Sequence, residues 1–209
     1  MDTLTLMADP IKVYRTAAFA PLAQDIKRFG ALLTAEAARR YDAALLVDAR
    51  RRKVCAERDT ALGPVLYLLH QGRRLAGLAG AFTPTDDGLM NAVCLRDVGQ
   101  RLEAQGISLD LTARKRSIVY RRGDEAILVL AQHDGYAFAA LRRLYKALID
   151  TEAYSEMQLY TYLTPEALRE LEQVLYAPAR GSRPLDRQRL RLFALPRPDG
   201  GVHSPVTLP

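Results

Sequence analysis

Four consecutive cations, Arg50-Arg51-Arg52-Lys53, followed closely by Arg58, form the densest run of one charge in the chain. A guanidinium donates paired hydrogen bonds to guanine O6 and N7 or to phosphate, and a lysine ammonium neutralises phosphate as a point charge. On a helix that enters a major groove, such a run suits duplex DNA. Arg39 and Arg40 lie upstream, where they would reach flanking backbone, and Arg73 and Arg74 follow an apolar β-prone stretch, where a wing would approach the minor groove or a phosphate. The bland alternative is that charge runs are solvated helix faces.

Other chemistry is thin. His70, His133 and His203 are scattered, and no pair has metal-ligand spacing. Two cysteines, Cys55 and Cys94, make neither a disulfide scaffold nor a four-ligand zinc site, and read as buried structural thiols. There is no Gly-rich phosphate loop with a following Lys-Ser/Thr and no dinucleotide fingerprint. Tyr120, Tyr136, Tyr145 and Tyr160 fall at core-facing or interface positions, and no histidine triad accompanies them as it would a nucleophile. The expectation is therefore no catalytic residue, no metal and no cofactor.

The charge is unevenly distributed over the 209 residues, whose net charge is +6. Residues 1–80 hold thirteen Lys/Arg against eight Asp/Glu, residues 81–176 eleven against fourteen, and residues 177–209 six against two. A basic front, acidic middle and basic end raise the expectation of a polyanion partner. No apolar run approaches the roughly 18 residues of a spanning helix, and no basic n-region precedes an apolar h-region, so a cytoplasmic protein without a membrane is expected.

These cations need elements to hold them. Pro21 opens a helix with Leu22, Ile26 and Phe29 on one face before Gly30; Thr34 suits an N-cap for Ala35–Tyr41; and a third, basic helix reads from about Val47 to Arg58, with Val47, Val54 and Cys55 packing it. Val65–Leu69 reads as a strand and Gly72–Leu78 as a closing helix, giving a winged helix-turn-helix over residues 1–80 whose wing shows one clear strand. The Pro- and Gly-bearing stretch Ala81–Gly88 reads as a linker. Beyond it come a helix stopping at Gly106, strands at 107–111, 117–121 and 125–131, a helix over Tyr136–Asp150 exposing Arg142, Arg143 and Lys146, a strand near 157–163 and a helix opened by Thr164-Pro165-Glu166. Residues 81–176 are thus an α/β domain of order αβββαβ followed by a helix, and 177–209 a basic, Pro-rich tail with a possible edge strand at 190–195. The fold class is α+β.

The segments Phe29–Tyr41 (Phe-Gly-Ala-Leu-Leu-Thr-Ala-Glu-Ala-Ala-Arg-Arg-Tyr) and Leu66–Leu75 (Leu-Tyr-Leu-Leu-His-Gln-Gly-Arg-Arg-Leu) resemble the winged helix of replication-relaxation proteins, DNA-binding proteins of plasmids, phages and integrative elements. Asn91–Val98 resembles the helix opening that family's α/β domain. The resemblance implies DNA binding in replication, transfer or transcriptional control. The αβββαβ order also resembles the restriction-endonuclease-like core, whose active members carry an acid on the second strand and acid-x-Lys on the third. Here the third strand reads Leu128-Val129-Leu130-Ala131-Gln132, and Asp110 and Asp124-Glu125 lack the spacing, so a degenerate scaffold for dimerisation or partner docking is expected. The expected assembly is a homodimer on double-stranded DNA. Alternatives are a module docking an acidic protein and a divalent-metal nuclease.

Overall fold

The computed structural model describes residues 17–80, 83–134, 138–177 and 184–198. The extended start read from the sequence, Tyr136, His203 and much of the Pro-rich end lie outside them. The chain separates into two compact units, Met1–Thr85 and Asp86–Pro209. Both mix helix and sheet.

In the first unit, α1 (Ala20–Phe29) starts on Pro21 and buries Leu22, Ala23, Ile26 and Phe29. It ends at Gly30, whose φ of 99° is the left-handed conformation glycine adopts without a Cβ penalty. Strand β1 is only Leu32–Leu33, and α2 (Thr34–Arg40) follows directly. Thr34 is the first helical residue rather than the cap; its hydroxyl instead donates to Glu57 Oε2 at 2.7 Å. Only Tyr41 and Asp42 separate α2 from α3 (Ala43–Arg51). Next come β2 (Cys55–Thr60), β3 (Gly63–Leu68) and α4 (His70–Leu75). The sheet runs β1-β3-β2, antiparallel throughout. Its core joins Leu22 and Ile26 to Leu46, Ala49, Val54 and Leu66.

The third helix therefore stops seven residues short of the expected Arg58. Lys53 turns left-handed with φ 56°, its N–H reaches Arg50 O at 3.0 Å, and Val54 N–H reaches Ala49 O at 2.9 Å. This is a Schellman turn, with Val54 and Ala49 packed beneath it in the core. It redirects the chain into β2, which forms a full hairpin with β3 where the sequence showed one strand.

The second unit opens with α5 (Asp86–Ala104), so Asp86, Asp87 and Gly88 belong to a helix and not to the linker. Two aspartates in a first turn suit the positive end of the helix dipole. Strands β4 (Ile118–Arg122) and β5 (Glu125–Gln132) form an antiparallel hairpin; α6 (Phe138–Leu148) leads to β6 (Glu156–Thr161), and α7 (Pro165–Tyr176) to β7 (Leu190–Ala194). The sheet order is β4-β5-β6-β7, the last three strands parallel. The observed order is αββαβαβ rather than αβββαβ. The strand expected at 107–111 is reduced to one bridge between Asp110 and Val119. Its cause is local: Asp110 Oδ1 accepts from Thr112 N, Thr112 Oγ1 and Ala113 N, which curls the chain away from the sheet. The edge strand expected at 190–195 is present as β7, at the end of this sheet.

One face of the sheet packs Val119, Leu128, Leu130, Met157 and Leu159 against Leu141 and Tyr145 of α6 and Leu175 of α7. Arg143 and Lys146 of α6 are exposed as expected, but Arg142 is half-buried. Thr164 caps α7, its hydroxyl accepting from Ala167 N, and the Tyr176 hydroxyl donates to Leu190 O at 2.6 Å, fastening α7 to β7.

Candidate nucleic-acid interface

The nine basic residues singled out above divide into two groups. Six are engaged inside the first unit. Arg40 pairs with Glu36 at 2.7 Å and with Asp25 at 3.4 Å. Arg50 reaches from the last turn of α3 to Glu57 on β2 at 2.8 Å. Arg51 and Arg52 share Asp48, at 3.2 and 2.7 Å. Arg58 stands on β2, not on a helix; it donates to Pro84 O at 2.7 Å and lies over the Tyr67 ring, so its role is to fasten the end of the unit. Arg73 donates to the carbonyls of Ala79 and Gly80, both at 2.8 Å.

Three remain. Arg39, Lys53 and Arg74 are exposed, and among the described residues none meets their side chains with a hydrogen bond or ion pair. Arg51 joins them in availability, since its side chain is 77% exposed despite the Asp48 contact. An exposed pair of this kind is worth at most about 1 kcal/mol, so a phosphate competes with Asp48 readily. Residues 48–59 hold five cations and three carboxylates, which leaves a net charge of +2 where the bare arginine run suggested +4. The acids that neutralise it, Asp48 and Glu57, are one helical turn away and across the α3–β2 junction.

The structure also moves the run along the helix. Arg50 and Arg51 occupy the last turn of α3 and Arg52 its C-cap, where cations complement the negative end of the dipole. The first two turns present different residues outward. Ala43 and Ala44 are exposed, and Val47, expected to pack the helix, is 58% exposed. Leu46 and Ala49 fill the core instead. The sequence pattern starts this helix near Val47, four residues after its actual start at Ala43, and so hides the outward row.

Lys53 holds a conformation that costs an L-residue about 1 kcal/mol and glycine nearly nothing. Lys53→Gly is expected to raise the unfolding free energy by about that amount and Tm by roughly 5 °C. A thermal melt of the full chain checks this; a fall in Tm would contradict the turn geometry.

Elsewhere, reactive groups are absorbed by packing. Burial pushes the Cys55 thiol up to about 11, opposed by nearby Arg50, and burial raises the Cys94 thiol further still. Both are inert thiols at neutral pH. Tyr160 and Tyr162 are likewise raised by burial, the opposite of what a tyrosine nucleophile needs. Asp110 is held below the ordinary carboxylate range by the hydrogen bonds from Thr112 and Ala113, so its Oδ1 serves its own turn. Glu125 pairs with Arg122 at 2.8 Å. Among the described residues, no group of three or more His, Cys, Asp or Glu is arranged to hold a metal ion, and no helix is long and apolar enough to cross a membrane.

A polar cluster not foreseen from sequence lies on the face of the second sheet opposite Met157 and Leu159. Buried Glu156 accepts from Arg122 at 2.9 Å and from Gln158 Nε2 at 2.7 Å, with Arg191 at 3.7 Å. Gln158 also donates to the Tyr120 hydroxyl and accepts from that of Tyr160, whose ring stacks on Phe193. Every member is satisfied, as a structural network should be. No protein-family model, curated protein or solved structure matches this chain.

Proposed function

We propose that the chain is a non-enzymatic, cytoplasmic double-stranded DNA-binding protein whose first unit is a winged helix-turn-helix. The observation that carries this reading is the order α1-β1-α2-α3-β2-β3 with sheet order β1-β3-β2 and a two-residue step between α2 and α3. In that arrangement α3 is the recognition helix and the β2–β3 hairpin the wing. Arg51 and Lys53 at the end of α3, with Arg39 and Arg74, bind phosphate; the paired Arg40, Arg50, Arg52 and Arg73 shape the surface that presents them. The resemblance to replication-relaxation proteins supports a role in replication, transfer or transcriptional control of a mobile element. On this reading the second unit is an α/β scaffold that serves a homodimer or a protein partner.

The test is fluorescence anisotropy of the full chain on a mixed-sequence duplex of about 30 base pairs across a salt series. Four phosphate ligands predict a slope of log K against log salt near −3.6, at about −0.9 per phosphate. Arg51→Glu with Lys53→Glu is expected to weaken binding more than tenfold and to flatten the slope by about 2. Unchanged affinity in that variant, or flat anisotropy at low salt, overturns the reading. A second reading, docking of an acidic protein, is favoured by one observation: the apolar row Ala43, Ala44 and Val47 beside the exposed cations. It predicts no duplex binding at any salt.

A further inference from the structure

Beyond the exposed N-cap Asp42, the first two turns of α3 offer a base edge nothing with which to exchange hydrogen bonds. Their outward residues are Ala43, Ala44 and Val47; Leu45 and Leu46 turn toward the core, and Asp48 spends both carboxylate oxygens on Arg51 and Arg52. Val47 is also an odd choice on folding grounds. A β-branched residue in an exposed helix position loses rotamer freedom and gains no burial, so alanine there would be the better helix former. In a winged helix the N-terminal half of this helix meets base edges, and its C-terminal end lies nearer the backbone. The one apolar group on the floor of the major groove is the thymine C5-methyl, which alanine and other small apolar side chains contact.

We infer that α3 reads thymine methyl groups through Ala43, Ala44 and Val47, while Arg51 and Lys53 hold the phosphates beside them; this rests on the DNA-binding reading above. It replaces the guanine readout that the arginine run suggests in the bare sequence, because Arg50, Arg51 and Arg52 sit past the helix's reading half and face Glu57 and Asp48. Arg51, Arg52 and exposed Lys53 continue the row at its C-terminal end and call for a polyanion; the helix and sheet order that carries the reading above makes duplex DNA that polyanion.

The experiment selects duplexes from a pool of about 30 base pairs with a randomised centre, using the full chain. The retained duplex is then remade with deoxyuridine for thymine at one position at a time. Removing a contacted methyl is expected to weaken binding about fourfold. Val47→Ala, which leaves the fold intact because the side chain is exposed, should shrink the penalty toward unity at the thymine it touches and leave the salt slope unchanged. A penalty below twofold at every thymine overturns the inference while leaving DNA binding in place. So does a penalty that is the same in Val47→Ala, which would mean that duplex shape is being read. Failure of the pool to be retained at low salt removes the DNA reading itself and turns the row into a face for a protein.

Discussion

Gly72→Ala is expected to lower the Tm of the first unit by more than about 12 °C, corresponding to a loss of roughly 3 kcal/mol. A Cβ at Gly72 would lie 2.1 Å from Val54 O, 2.9 Å from Leu68 Cδ2 and 3.0 Å from Val54 C. A flexible side-chain tip would move aside; a backbone carbonyl held from both sides does not. Val54 O accepts the Leu69 N–H at 3.0 Å, and Val54 N–H closes the Schellman turn on Ala49. Relief therefore requires α4 to lift from the α3–β2 junction, which opens the core at Val54 and Leu68. Glycine is needed here for close approach, since its φ is ordinary. The neighbouring Gln71→Ala, at an exposed position of the same helix, should stay within about 0.5 kcal/mol of the parent. Thermal melts of the two variants side by side check the argument, and an unchanged melt for Gly72→Ala would contradict the packing of α4. The junction also carries Arg51 and Lys53, so on the DNA-binding reading proposed above duplex affinity should fall together with stability in this variant.

Glu156→Ala is expected to cost about 2–3 kcal/mol and to lower the Tm of the second unit by roughly 10 °C. The carboxylate is 5% exposed, while its partners Arg122 and Arg191 are 52% and 40% exposed. The arginines therefore recover water when Glu156 is removed, and no buried charge is stranded. The loss comes instead from the cavity and from fully buried Gln158, whose Nε2 keeps only its bond to Tyr120. Glu156→Gln keeps the shape and one acceptor oxygen, so it should lose only about 1 kcal/mol. Equal losses for the two variants in denaturant or thermal unfolding would show that charge, not packing and hydrogen bonding, dominates at this position.

Much of the framework is legible in the residues themselves. Pro21 and Gly30 bracket α1, Thr164 and Pro165 open α7, and the unbroken apolar run of β5 marks an interior strand, since each signal is local and each is satisfied by backbone geometry within a turn. Apart from the Asp110 turn, which is local, most of what the sequence hides depends on a partner distant along the chain. Strand β2, Cys-Ala-Glu-Arg-Asp-Thr, has charged side chains at half its positions and reads as a helix continuation. It is a strand because β3 supplies its hydrogen bonds, and it tolerates charge because it is the sheet's edge. The helix end at Lys53 was hidden for a related reason. A left-handed lysine carries no glycine signature, and the turn is held by Val54 and Ala49 packing into a core assembled from α1 and β3.

The candidate interface follows the same division. Composition alone determined that residues 1–80 are rich in arginine and that no metal or nucleophile motif is spelled out in the chain. Tertiary structure decided which of those arginines are available. Glu57 comes within 2.8 Å of Arg50 only because β2 folds back along α3, and Arg58 is consumed by Pro84 O only because β2 is a strand. Charge is a property of residues, whereas its neutralisation depends on which acids the backbone brings within 4 Å. That is why a run of four cations is plain in one dimension, and why the exposed Ala43-Ala44-Val47 row beside it emerges only once the helix has a register and a core to turn away from.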